Sequence, residues 1–288
     1  MRYHSPESFE EASRLAAAAS GTTRFLAGGT DVLVQLRTGL VTPDDLIDLK
    51  RIPGTDQIVR RADGGWQIGV AVSGAMLGEH PELKGDWPGV VEAMELVGST
   101  QVQGRATLTG NLCNGSPAAD SVPALVAAGA VVQVTGPDGL RDVPVEEIPS
   151  GPGKTTLGAG ELISALILPP RGAQGGDAYQ RFIPRTEMDI AVVGCAVNLV
   201  LDGDTISAAR LALGAVGPTV MLVPDAAKAL IGSAWDGDAR GRVEAAARAA
   251  ARPIDDKRGT AAFRTHVAGV LAGRVAQIAY QRAKGGAA

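Results

Sequence analysis

Two glycine-rich segments constrain this chain more than any other feature. The first reads Leu26-Ala27-Gly28-Gly29-Thr30-Asp31. The second runs from Thr107 through Gly110-Asn111-Leu112-Cys113-Asn114-Gly115-Ser116-Pro117 to Asp120. Each adjoins an apolar stretch and then supplies small residues, backbone N–H groups and short hydroxyl or amide side chains. Glycine lets a ligand approach the main chain, and successive N–H groups make an anion-binding concavity. Two such segments some eighty residues apart suit a phosphate or pyrophosphate held from two sides, as in a dinucleotide.

With 288 residues the chain can bury one large core or two moderate ones, so two or three subdomains are expected. Aromatic residues are only 3%, which leaves the core to Ala, Val and Leu. The net charge is −4 and there is no basic block, which argues against nucleic acid as a partner. No apolar run reaches the roughly 18–20 residues of a membrane span. The first residues, Met1 to Glu7, lack the basic-then-apolar pattern of a signal peptide, so a cytoplasmic location is expected. The two cysteines, Cys113 and Cys195, lie far apart and form no C-x-x-C pair. An iron–sulfur cluster or cysteine-rich zinc site on this chain alone is therefore excluded. Cys195 lies in an apolar run and reads as core. Cys113 sits inside the second glycine segment, where a ligand contact is conceivable. His4, His80 and His266 are scattered and show no ligand spacing.

Hydrophobic spacing predicts an early helix over 7–19 begun by Ser5-Pro6, a strand over 23–27, a short helix over 31–37 and a strand over 46–49. Further on it predicts a strand over 66–72, helices over 73–79, 88–97 and 120–128, and a hairpin of 130–135 with 140–145 around Gly136-Pro137-Asp138-Gly139. A strand over 162–168 ends at Pro169-Pro170. The run Gly172-Ala173-Gln174-Gly175-Gly176 is the best linker. Beyond it, three antiparallel strands (179–183, 190–201, 205–216) precede helices over 226–231, 239–251 and 260–283. These readings divide the chain into residues 1–171, with subdomains of about 1–54 and 55–171, and a C-terminal domain over 177–284.

Some familiar motifs are missing. Ala27-Gly28-Gly29-Thr30-Asp31 is not G-x-G-x-x-G, which argues against a Rossmann nicotinamide site; taken alone, it is equally an ordinary tight turn. Gly151-Pro152-Gly153-Lys154-Thr155 lacks the first Walker A glycine, because Ile148 stands there. No Ser-His-Asp triad, Cys-His pair or paired carboxylates can be assembled. The second segment is more specific. Asn111 both donates and accepts, Thr107 and Thr109 carry hydroxyls, and Asp120 suits a sugar hydroxyl. Its plainest alternative is an irregular loop before a helix.

Together these segments resemble the FAD-binding, or medium, subunit of molybdenum hydroxylases, a group that includes the flavin subunits of carbon monoxide dehydrogenase and bacterial xanthine dehydrogenase. The A-G-G-T/H-x-L loop matches Ala27 to Leu33. The T-x-G-G-N-I/L loop followed by S-P-x-x-D matches Thr107 to Asp120, with Thr109 in place of one glycine. Gly151 to Thr155 followed by Gly160-Glu161-Leu162-Ile163 resembles the segment before the last strand of the FAD domain. Arg181, with Arg185 to Ala191, resembles the opening of the family's C-terminal domain.

The resemblance implies an α+β, vanillyl-alcohol-oxidase-like (PCMH-type) fold of two subdomains gripping FAD, followed by a C-terminal three-stranded antiparallel sheet with helices. It implies that Ala27, Gly28, Gly29, Thr30, Asp31 and Val32 hold the pyrophosphate and ribityl oxygens. Thr107, Gly110, Asn111 and Asp120 would hold the ribityl–phosphate side and the ribose. Leu112 would pack in the cofactor pocket, Leu168 near the ring or adenine, and Val97 at the adenine. Arg181 would lie at the flavin N1/C2 edge or, alternatively, be a solvated strand residue. No catalytic or metal-binding residue is expected on this chain.

The function so implied is electron transfer. Electrons from a molybdenum cofactor on a large subunit would pass through two 2Fe-2S clusters on a small subunit to FAD, and then to an external acceptor. A dimer of heterotrimers is the expected assembly, with an exposed apolar patch at the flavin's dimethylbenzene edge if the small subunit docks there. Two rivals stand beside this reading: a self-sufficient flavin oxidoreductase of the same fold, and a cofactor-free scaffold subunit.

Overall fold

The computed structural model describes residues 1–285. Its first sheet is parallel, in the order β1-β3-β2, from strands β1 (Arg2–His4), β2 (Thr23–Leu26) and β3 (Asp45–Asp48). Parallel strands need crossovers, and here helices α1 (Phe9–Ala18) and α2 (Val32–Thr38) supply them. The cap of α1 is Ser8, not the expected Ser5-Pro6. The Glu11 N–H donates to Ser8 Oγ at 3.1 Å, and the Glu11 carboxylate accepts from the Glu7 N–H at 2.9 Å. Ser8 and Glu11 have the spacing of a capping box, here with the Glu11 carboxylate reaching the N–H one residue before the cap, and these two bonds place the helix start.

Strand β1 has too few residues and too little apolar content to announce itself in sequence. It is held by charge. The buried Asp45 carboxylate accepts from Arg2 Nε at 2.8 Å and Nη2 at 2.7 Å, and His4 Nε2 lies 2.7 Å away. Tyr3 Oη donates to Asp48 at 2.7 Å.

The second sheet is antiparallel, in the order β4-β5-β10-β6-β7. It comprises β4 (Ile58–Arg60), β5 (Trp66–Gly69), β6 (Val131–Gly136), β7 (Gly139–Pro144) and, after the small pair β8 (Pro149–Gly151) and β9 (Lys154–Thr155), β10 (Leu162–Leu168). The β6–β7 hairpin turns at Pro137-Asp138, with Gly136 facing Gly139. Six short helices connect β5 to β6: α3 (Gly74–Gly78), α4 (Pro81–Asp86), α5 (Pro88–Glu95), α6 (Thr100–Gln103), α7 (Leu108–Cys113) and α8 (Ser121–Ala128). Every residue of α8 is buried. A helix apolar on all sides must be covered on all sides, and two layers cover this one.

The second layer is the C-terminal sheet. It has four strands where three are expected: β11 (Gly175–Phe182), β12 (Val193–Asp202), β13 (Thr205–Gly214) and the two-residue β14 (Met221–Leu222). A strand that short carries no period to read; it forms because Met221 and Leu222 fall opposite Leu213 and Ala212. The sheet obeys strand alternation. Tyr179, Ala196 and Ala212 face the N-terminal core with α5 and α8. Ala178, Cys195, Val197, Leu199, Leu211 and Leu213 face a second core. Helices α9 (Pro224–Leu230), α10 (Gly237–Ala250) and α11 (Ala261–Ala283) complete that core.

The expected linker is only partly one, because Gly175 and Gly176 begin β11. A Cβ on Gly176 would lie 2.0 Å from the Ala279 carbonyl oxygen, so glycine here serves the close approach of α11. The seam between the layers is polar as well as apolar. Arg171 pairs with the buried Asp177 at 3.0 Å and lies over the Trp87 ring at 4.4 Å. Arg282 pairs with Glu92 and donates to the Asp177 carbonyl at 2.9 Å. Among the described residues no helix is long and apolar enough to cross a membrane.

Hydrogen bonds from Arg2 and His4 hold the Asp45 carboxyl down to about 2, against an ordinary value of 3.8. Stabilisation from a lowered carboxyl is complete above the ordinary value and is lost as pH falls toward the folded value. Urea unfolding followed from about pH 5 down to about pH 2 is the measurement. Asp45→Asn is expected to lower stability at pH 5 and to flatten the fall toward pH 2. A variant with the wild-type slope would show that Asp45 does not anchor β1.

Candidate functional site

The two glycine segments meet. A Cβ on Gly28 would lie 2.0 Å from the Arg105 carbonyl oxygen and 3.2 Å from Ala106 Cα. The turn after β2 thus rests directly on the backbone that leads into α7. Between them opens a cleft of about 530 Å³, within the usual range of roughly 300–1,000 Å³ for cofactor and ligand sites. Its walls are β2, the Ala27–Val32 turn, the N-terminal part of α2, the Thr107–Asn114 segment and residues 153–163.

Gly29 turns the chain with φ +83°. Behind it, the N–H groups of Gly28, Gly29, Thr30, Asp31 and Val32 donate to no protein acceptor among the described residues. Helical bonding begins only where the Leu33 N–H reaches the Gly29 carbonyl at 3.1 Å. Buried or half-buried N–H groups are nearly always satisfied. Five consecutive unpaired donors lining a cleft make an anion cradle from main chain alone.

The second segment begins as the short helix α7 and continues as an irregular loop from Asn114 to Asp120. Thr107 caps α7, its Oγ1 accepting from the Gly110 N–H at 3.0 Å. Thr109 donates to the Val70 carbonyl at 2.9 Å, which ties α7 to the end of β5 and gives this residue work where the family pattern has glycine. Asn111 is held from behind. Its Oδ1 accepts from Ser121 Oγ at 2.7 Å and from the Ser121 N–H at 3.2 Å, so its NH2 group is left to the cleft. Asn114 bridges the two segments, donating to Asp31 and accepting from Gln35, each at 3.4 Å. Gly115, with φ +64°, packs against the backbone of Gly153 and Lys154, and its carbonyl accepts from the Gly153 N–H at 3.0 Å.

The charges around the cleft are few. Arg24, Asp31 and Glu161 line it, and no lysine does. Arg24 is in no ion pair among the described residues. Desolvation raises the Asp31 carboxyl above its ordinary value. Cys113 opens onto the cleft, and the surrounding protein pushes its thiol up to about 12, so it stays neutral.

Of the residues singled out in sequence, Ala27, Gly28, Gly29, Thr30, Asp31, Val32, Val97, Thr107, Gly110 and Asn111 line this cleft together. Leu112, Asp120, Leu168 and Arg181 do not. Leu112 and Leu168 are fully buried in the N-terminal core. Asp120, expected as an acceptor for a sugar, accepts instead from Tyr179 Oη at 3.0 Å and Arg181 Nη1 at 2.6 Å. Burial pushes the Asp120 carboxyl up to about 6, against the opposing pull of Arg181 and Tyr179. The Arg181 side chain is 4% exposed, so it is neither a solvated strand residue nor free to face the cleft. Both belong to the seam, and Asp120 directly precedes the Ser121 that holds Asn111. Sequence reasoning missed Arg24, which no motif marks, and the wall from Gly153 to Ile163, whose only signal was its likeness to a family segment.

Comparisons with known proteins give the family and the fold. The pattern for the FAD binding domain in molybdopterin dehydrogenase matches residues 1–171, and that for the carbon monoxide dehydrogenase flavoprotein C-terminal domain matches residues 178–279. The carbon monoxide dehydrogenase medium chain of Afipia carboxidovorans is 32% identical over 287 residues, 98% of this chain and 97% of that one. A xanthine dehydrogenase FAD-binding subunit of Escherichia coli O157:H7 is 32% identical over 218 residues, covering 75% of this chain and 74% of its own length. Among solved structures, carbon monoxide dehydrogenase from Hydrogenophaga pseudoflava superposes with a TM-score of 0.93 at 32% identity, covering 98% of both chains. Quinoline 2-oxidoreductase from Pseudomonas putida 86 gives 0.89 at 26% identity, with 98% of both chains covered.

The contact at Gly28 yields a direct test. Gly28→Ala forces the turn off the Arg105 carbonyl, which is backbone and cannot rotate away. Flavin titration is expected to show at least a roughly tenfold loss of FAD affinity, about 1.4 kcal/mol, with the far-UV circular dichroism of the wild type. Unchanged affinity would show that the meeting of the two segments is not needed for binding.

Proposed function

The chain belongs to the family of FAD-binding domains of molybdopterin dehydrogenases, and on that premise we propose that it is the flavin-carrying, electron-transferring subunit of a molybdenum hydroxylase. The observation that carries the reading is the cleft itself: two glycine segments in van der Waals contact, with a run of unpaired N–H groups between them. Its donors, its size and its lack of lysine suit a dinucleotide diphosphate bound by main chain.

When bound, FAD supplies exchange between one-electron and two-electron chemistry. The chain's own residues bind and orient. The N–H groups from Gly28 to Val32 hold the diphosphate, with Arg24 as the nearby cation. Thr107 and Gly110 shape the start of α7, and Asn111 offers its NH2 group, fixed by Ser121. Ala27 and Val97 contribute apolar wall. Leu112 and Leu168 support that wall from the core, and the Asp120–Arg181 pair holds the start of α8 in place. Cys113 stays protonated and offers no thiolate. In this reading the chain needs no general base or nucleophile.

Electrons have to reach this cleft from outside the chain. Cys113 and Cys195 are its only cysteines, and among the described residues no group of His, Cys, Asp and Glu is placed to hold a metal. The proposed complex therefore pairs this chain with a small subunit bearing two 2Fe-2S clusters and a large subunit bearing the molybdenum cofactor. It is proposed as a cytoplasmic dimer of heterotrimers. Two of the similar proteins are named as medium chains or FAD-binding subunits, which supports such an arrangement.

Co-purification of the tagged chain from its native host is the test. The expected product is a yellow-brown complex of three polypeptides containing FAD, iron and molybdenum. A colourless monomer that ignores added FAD would sink the proposal. Turnover of an organic substrate by the isolated flavin-loaded chain would favour the self-sufficient oxidoreductase instead.

A further inference from the structure

An anionic cofactor must enter a cleft whose lining holds two carboxylates, Asp31 and Glu161, and one guanidinium, Arg24. Glu161 is the anomaly. It cannot swing away, because its carboxylate accepts from the Gly158 N–H at 2.8 Å and its own N–H donates to the Gly158 carbonyl at 3.1 Å. On its other side, a Cβ on Gly136 would lie 2.9 Å from Glu161 Cγ. The carboxylate is therefore a fixed part of the wall. Its charge is answered from behind. Arg141, on β7, donates to both Glu161 oxygens, Nε to Oε1 and Nη2 to Oε2, each at 2.9 Å. This is the bidentate geometry that makes an arginine–carboxylate pair strong and planar. Arg141 does not line the cleft.

We propose that Arg141 sets how tightly the cleft holds its anionic cofactor, by cancelling the charge of the wall residue Glu161. The inference rests on the FAD reading above. Arg141 is a positioning residue that acts through Glu161. Removing it leaves a bare carboxylate anchored in the wall of the cleft, and the resulting repulsion of an anionic ligand is electrostatic and screened by salt. A purely structural role for the pair predicts something different: a loss indifferent to salt, tracking thermal stability, and worsened by a second substitution.

The test titrates FAD into the flavin-depleted full-length chain by fluorescence quenching at low and high ionic strength. For Arg141→Met the expected result is a dissociation constant raised about three- to tenfold at 20 mM salt, shrinking to within about twofold at 0.5 M, as the screening length falls. Glu161→Gln keeps an acceptor for Gly158 and should bind FAD at least as tightly as wild type. The double variant Arg141→Met/Glu161→Gln should return to within about twofold of wild type. Wild-type affinity in Arg141→Met, or a loss that survives high salt and the Glu161→Gln substitution, overturns the proposal. A wild-type chain that binds no FAD in the same titration overturns the cofactor reading, and this inference falls with it.

Discussion

The site depends on one steric contact. Gly28 lies against the Arg105 carbonyl so closely that no side chain fits between them. That contact brings the turn after β2, in the parallel sheet, against the entry to α7, in the antiparallel one. The cleft exists because the two subdomains meet there with no side chains intervening, and the N–H groups beyond Gly28 are left facing space instead of packing. Much else around the cleft follows from keeping that junction in register. Asn114 links Asp31 to Gln35, Gly115 seats the turn at Gly153, and Thr109 ties α7 to the end of β5.

What sequence could reveal followed physical scale. Segments long enough to show a period, such as β12, β13 and α11, were legible, as was the tight turn around Pro137-Asp138. Elements fixed by partners distant in sequence were not. Strand β1 exists through Asp45 and Asp48, and β14 through the strand beside it. The first turn of the site was legible as a glycine turn at a strand end, and as a ligand loop only together with the second segment. The tie between Asp120 and Arg181 was not. Asp120 was visible at the end of the second glycine segment and Arg181 only through the family resemblance, but their mutual distance belongs to the packing of one sheet on one helix. The local pattern cannot tell a carboxylate that awaits a ligand from one already claimed by an arginine 61 residues away.

Charge is used in two distinct ways. At the cleft it is sparse, and the donors are main-chain N–H groups, which are preorganised and carry no long side chain to be ordered on binding. At the seam it is dense and buried. Asp177 lies beneath Arg171 and Arg282, and burial pushes its carboxyl up to about 6. Such groups are a poor source of net stability but strongly disfavour misaligned packing, because a shifted sheet would leave them unpaired.

The helix from Ser121 to Ala128 has one more consequence. With every residue covered, it is common property of the flavoprotein-like half and the C-terminal half. Cutting the chain after Arg171 would bare its outer face, a strip of alanine, valine and leucine, to water. The two halves are therefore not independent modules that can be exchanged like beads. Unfolding of one half uncovers α8 and α5, on which the other half also packs, so the C-terminal sheet supports Ser121 and, through it, the Asn111 that lines the cleft.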